Sequence, residues 1–362
     1  MFPPRASHLF LGLALLLADA SLLAAQETAP VPTAIPAPPA PAASRYHLTD
    51  TWKPPGDDLW RSLAIDSMAH RLYVVRQDRV QVLDSVSGEP VGEIKDLPEI
   101  RGLALAPRLG RGFVTSSTTD KLLIFDLKTC APVGEPVPVG AGPTTVVYVP
   151  GRDKVFVFNV SSTSATVLDA RDGKTLDTVP LNGVPESAVA EGGGRVFVNL
   201  LDTNEVLAID AETHRVENRY KLKTAHGPTG LSLDPDGGRL FVSCADRKLV
   251  VMATEDGTVM STLTVGAGAE ATAFDNRTKL AFCANSTDGT VTLIDAYKAN
   301  PKVVETLPTR HHASALAVDG RTHTLYVPAA DFVETNLPPN QPPTMIPGSF
   351  VILKYDYDGP RK

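Results

Sequence analysis

Apolar and polar positions along this chain recur in one fixed order. A short apolar run ends near an acid. After a turn comes an apolar-aromatic run, then a third apolar run that closes on Asp in most copies. A second turn and a strand of alternating character complete the unit. The first run closes at Asp66, Ala106, Val149, Glu191, Asp234, Asp275 and Asp319, so successive anchors lie 40, 43, 42, 43, 41 and 44 residues apart. Residues 228–269 show one unit in full: GLSLD (230–234), the turn PDGG (235–238), RLFVSC (239–244), LVVMA (249–253), the turn EDG (255–257) and TVMSTLTV (258–265). Each segment has strand length and strand alternation, and none has helical periodicity. The paired glycines of the first turn can take positive φ, and the second turn has hairpin character.

Four short strands repeated at this period make a propeller blade. The fold class expected is all-β: a seven-bladed β-propeller of four-stranded antiparallel blades. The second strands align as LYVV (72–75), FVTS (113–116), VFVF (155–158), VFVN (196–199), LFVS (240–243), LAFC (280–283) and LYVP (325–328). The third strands include VQVLD (80–84), LIFD (123–126), TVLD (166–169), LAID (207–210) and TLID (292–295). Their terminal acids, Asp84, Asp126, Asp169, Asp210 and Asp295, look catalytic in a bare inventory. Asp before a hairpin turn accepts bonds from N–H groups two residues on, so they are read as turn-holding residues. The seventh repeat supplies only three strands, and YHLTDTW (46–52) is an orphan with outer-strand alternation. It is expected to complete the last blade and so remove the open edges of the array.

The ends and the composition add compartment and exclude some chemistry. Residues 1–25 read as a secretory signal, with Arg5 ahead of the apolar stretch LFLGLALLLA (9–18) and small residues at Ala20 and Ala25. That stretch is too short to span a bilayer. Residues 26–44 are Pro/Ala-rich and read as a linker, leaving 45–362 as the propeller. The chain is expected to be exported to a periplasmic or extracellular location and to be a monomer. Three cysteines in 362 residues exclude a disulfide scaffold. Cys244 and Cys283 fall one register apart, facing opposite sides, and Cys130 falls in a turn. A net charge of −7 argues against a nucleic-acid groove.

Candidate chemistry gathers where loops converge on the channel mouth. Five positions before each anchor stand Arg61, Arg101, Thr144, Glu186, Thr229, Glu270 and Ser314. Two arginines in adjacent blades can orient an anionic or sugar-like ligand; the bland reading is that these groups hydrate the channel and pair with one another. His226, His311 and His312 come near this ring, but no metal-type spacing is present, so neither metal nor cofactor is expected. His47, His70, His214 and His323 are read as superficial. The insertion at 331–348, DFVETNLPPNQPPTMIPG, is stiffened by five prolines and is either a lid over the mouth or a plug on apolar surface. Phe332, Leu337, Met345 and Ile346 would touch the ligand in the first case and the protein in the second. The candidate ligand-binding residues are Arg61, Arg101, Glu186, Glu270, Asn285, His311, His312 and Asp331. Asn159, Asn276 and Asn285 also begin N-x-S/T triplets.

The second-strand motifs, with the Asp–turn–Gly element that follows, resemble the Tyr-Val-Thr-Asn signature of the exported YVTN-repeat (YncE-like) propellers of the WD40/YVTN-like superfamily. The resemblance covers residues 46–357. It implies the fold and export, but no agreed catalytic set. Three functions stay open. The first is a non-catalytic binding or scaffold module facing a small ligand or a cell-envelope protein. The second is a lactonase-type, gluconolactonase-like hydrolase using Glu186, Glu270, His311 and His312. The third is single-stranded nucleic-acid binding. A carboxylate with a shifted pKa beside a histidine at the mouth would favour the hydrolase.

Overall fold

The computed structural model describes residues 44–95, 97–333 and 343–359. The signal and nearly all of the linker read from the sequence lie outside them. Within 44–359 the described residues form seven four-stranded antiparallel sheets and one two-stranded ribbon. Blade 1 runs through Trp60–Asp66, Arg71–Arg76, Val80–Asp84 and Pro90–Ile94. Blades 2 to 6 start from inner strands Ile100–Ala106, Pro143–Val149, Pro185–Ala190, Pro228–Asp234 and Ala269–Asp275. The fourth stops one residue short of its expected anchor. Glu191 instead turns back on Arg195, whose Nε donates to its Oε2 at 2.8 Å.

Blade 7 joins the two ends of the chain. Its strands are Ala317–Val318, Leu325–Ala329, Val351–Tyr357 and Tyr46–Trp52, in that order outward. Tyr46–Trp52 and Val351–Tyr357 pair antiparallel, from Tyr46↔Tyr357 to Trp52↔Ile352. The orphan strand therefore closes the ring, as its alternation predicts.

One aromatic per blade explains the repeat. Tyr73, Phe113, Phe156, Phe197, Phe241, Phe282 and Tyr326 hold the same place in successive second strands, and all are fully buried. Each packs into the cluster shared with the next blade; Phe113, for example, joins Val146 and Val157 of blade 3. Fully burying such a side chain contributes about 2–3 kcal/mol, so the aromatic position binds blade to blade. The turn aspartates do what their position predicts. Asp84 accepts the N–H groups of Val86 and Ser87 at 2.9 and 2.8 Å, and Asp210 those of Glu212 and Thr213 at 3.0 and 2.6 Å.

Two histidines depart from the sequence reading. His323 is buried, with Nδ1 2.6 Å from Asp275 Oδ2 of the preceding blade. His214 is half-buried, with Nδ1 3.2 Å from Asp177. A lone His in a polar stretch gives no sign of such a partner, which lies far away in sequence. His47 and His70 are exposed. All three cysteines are free and buried, with Cys244 and Cys283 in different inter-blade clusters.

Candidate functional site

The seven ring positions line one cavity of about 1010 Å³ at the channel mouth. A local irregularity puts most of them there. The pairing of inner with second strand shifts register between Trp60 and Ser62, Ile100 and Leu103, and Pro143 and Thr145. It shifts again between Pro185 and Ala188, Pro228 and Leu231, and Ala269 and Thr272. A bulge leaves its extra residue unpaired and re-aims the side chain. Arg61, Arg101, Thr144, Glu186, Thr229 and Glu270 all sit inside these shifts. Ser314 precedes the short inner strand of blade 7.

Close packing of neighbouring inner strands fixes the bulges. A Cβ on Gly102 would meet the Thr144 carbonyl at 2.2 Å, and one on Gly230 the Glu270 carbonyl at 2.1 Å. The polar residue of the second-strand motif locks carbonyls of the neighbouring inner strand. Thr115 Oγ1 donates to Thr144 O at 3.1 Å, Asn199 Nδ2 to Gly230 O at 3.0 Å, and Ser243 Oγ to Glu270 O. The signature's polar position is thus a bridge to the next blade.

Charge around the mouth is segregated. Arg61 and Arg101, on blades 1 and 2, share Glu99 Oε2 at 3.7 and 3.5 Å. Burial, and then the charge of Arg101, pushes the Arg61 guanidinium below its usual range, with Glu99 opposing. On the other side stand Glu186 of blade 4 and Glu270 of blade 6. Glu186 is open to the cavity, but the surrounding walls still desolvate it. That desolvation, and then the charge of Glu270, raises its pKa. Burial also raises Glu270, against the Ser286 hydrogen bond (Oγ to Oε1, 2.5 Å) and the charge of His312.

A recess of about 230 Å³ opens beside Glu270, lined by Leu59, Trp60, Ser286, His312, Ser314, Phe332 and Pro343. Glu270 and Ser314 also line the mouth, so the two spaces adjoin. The His312 and Phe332 rings lie 4.5 Å apart at 58°, and Trp60 meets Phe332 at 6.2 Å and 66°. Phe332–Val333 and Thr344–Met345 form the two-stranded ribbon at the base of the insertion. Phe332 is a wall of the recess, Met345 is buried against blades 7 and 1, and Ile346 is exposed. The middle of the insertion, with Leu337, lies outside the described residues.

The other candidates lie elsewhere. Asn285 is fully buried and lines neither space; its Nδ2 donates to Thr290 and Thr292 at 3.0 and 2.9 Å within its own blade. His311 is exposed on the same turn as His312. Asp331 pairs with Arg310 at 3.1 Å at the root of the insertion. Among the described residues no cluster of three or more His, Cys, Asp or Glu has metal-holding geometry. Sequence reasoning missed Glu99, Trp60 and Ser286. Glu99 gives no periodic signal, because it stands in the inter-blade turn at φ 50°, outside any strand. For Trp60 a signal existed: a tryptophan directly before a ring arginine.

No protein-family model matches this chain, and neither does any curated protein sequence. Among solved structures it is similar to the β-propeller domain of Myceliophteria thermophila Cps50 (Swd1). The TM-score is 0.69 at 13% identity, covering 86% of this chain and 100% of that one. It is also similar to Kuenenia stuttgartiensis hydrazine synthase, with a TM-score of 0.65 at 14% identity, covering 74% of this chain and 91% of that one. At these identities the likeness establishes the propeller fold alone.

Proposed function

We propose that this propeller is an exported binding module of the YVTN-repeat kind, taking a small polar ligand or a cell-envelope partner at the channel mouth. The observation that carries this reading is the segregated charge of the mouth: two arginines bridged by one glutamate and two desolvated carboxylates line one cavity of about 1010 Å³. Fixed groups of opposite sign at opposite walls orient a polar ligand. The net charge of −7 and the shared Glu99 disfavour phosphate-backbone binding.

One observation favours a second reading. Glu270, its pKa raised, stands beside Ser286 and His312 at the mouth, and a raised carboxyl is what a general acid of a lactonase-type hydrolase needs. A single panel separates the two. The purified full chain is tested by thermal shift, with and without EDTA, against lactones, sugar acids, divalent metals and short single-stranded oligonucleotides, and lactone turnover is followed in parallel. Binding that raises Tm and disappears in Arg101→Gln or Glu186→Gln, without turnover, supports the module. Turnover lost in Glu270→Gln assigns the hydrolase. Ligand binding indifferent to all three variants overturns the mouth as the site. Export has its own test: the N-terminal mass of the protein recovered from the periplasm or medium should begin after Ala20 or Ala25.

A further inference from the structure

Resting on the mouth-binding reading, we infer that the recess beside the mouth receives the alkylated ammonium head of a small zwitterionic ligand, whose acidic group lies on Arg61. Three features of the recess meet the needs of such a head. Its lining includes three rings, Trp60, Phe332 and His312, which pack against one another at a tilt. Aromatic faces attract cations, most strongly when the cation is desolvated. Among the described residues its lining includes one carboxyl group, Glu270, and no lysine or arginine, so an acid stands beside the guest. Leu59 and Pro343 add apolar surface, which suits methyl groups better than the three donors of a bare ammonium.

The acidic end follows from chain geometry. Arg61 adjoins Trp60 in sequence, yet the bulge between Trp60 and Ser62 sends its side chain to the mouth instead of the core. One strand therefore presents an aromatic wall and a guanidinium to two adjoining spaces. A ligand with its ammonium against Trp60 and Glu270 has its acid within reach of that arginine after a short spacer. A recess of about 230 Å³ accepts a head group and no more, which leaves the rest of the ligand in the mouth.

Fluorescence isolates the recess, because Trp52 and Trp60 are the only tryptophans and Trp52 belongs to the closing strand. In the full chain carrying Trp52→Phe, γ-trimethylammonio-butanoate is titrated against its carbon isostere, 5,5-dimethylhexanoate, which keeps the carboxylate but has an uncharged head. The zwitterion is expected to change Trp60 emission and to bind about tenfold more tightly than the isostere. Glu270→Gln should abolish that preference, and Arg61→Gln should weaken both compounds alike. Phe332→Ala should weaken binding of the zwitterion more than of the isostere; because Phe332 is partly buried against the cluster of blades 7 and 1, its urea unfolding is measured alongside. Soluble phosphocholine and phosphatidylcholine vesicles, run side by side, distinguish a free solute from a lipid headgroup carrying the same chemistry. Equal binding of zwitterion and isostere, or no response of Trp60, overturns the inference. In those outcomes the mouth reading still stands or falls on Arg101→Gln and Glu186→Gln.

Discussion

Both ends of the inner strands carry acids, but the acids keep different company. At the end away from the mouth, Asp66 accepts the N–H groups of Met68 and Ala69, both at 3.0 Å. Asp234 holds Gly237 N–H, Arg239 Nε and, from the next blade, Lys279 at 3.0, 3.1 and 3.3 Å. Asp275 holds Thr278 and reaches His323 of blade 7. These carboxylates are filled by turn amides and by side chains of their own and neighbouring blades, so they pin the ring. At the mouth, Glu186 meets chiefly the charge of Glu270, and both are kept high by desolvation. The chemistry of the residue is the same at both ends. The partners decide whether an acid holds the fold or stands ready for a ligand.

That contrast can be broken by substitution. Asp234→Ala strands Arg239 in a buried site and is expected to cost about 3–5 kcal/mol in urea unfolding. If it costs no more than Glu186→Ala, the contrast between the ends fails. Asp275→Asn should cost about 1–3 kcal/mol, by leaving His323 and Thr278 with a weaker acceptor. Asp84→Ala removes turn bonds worth about 1 kcal/mol. Its pH dependence has a definite sign. The Ser87 N–H bond leads the groups holding Asp84 below its ordinary value of 3.8. Its contribution is therefore present above that value and lost as pH falls through the lower folded one. The smallest effect runs the other way. The folded state favours protonated Glu186, so stability declines as pH rises from the ordinary 4.5 towards the raised value. Glu186→Gln should raise unfolding stability slightly at neutral pH, by under about 0.5 kcal/mol, with the gain vanishing below that window.

Periodicity made the blades, the turn acids, the closing strand and the ring of mouth positions readable from sequence, because each follows from where a residue falls within one repeat. Partnerships between repeats were not readable. Glu99 lies outside every strand, yet it ties Arg61 to Arg101. His323 meets an acid 48 positions away. Asn285 offered a glycosylation-like triplet and a place near the mouth, but the pleat turns its amide into its own blade, towards Thr290 and Thr292. Alternation sets which face a side chain leaves by, and contacts between blades then decide what it finds there.

The pairing of Tyr46–Trp52 with Val351–Tyr357 has a consequence for how the molecule is made. Among the strands of the propeller, the one made first waits for the one made last. Until then blade 7 lacks a strand and the ring keeps two raw edges, the kind of surface that recruits other chains. A polypeptide cut short before residue 351 never acquires its clasp. The fold thus reports on the completeness of its own message: only a chain read through its last blade can hide its edges.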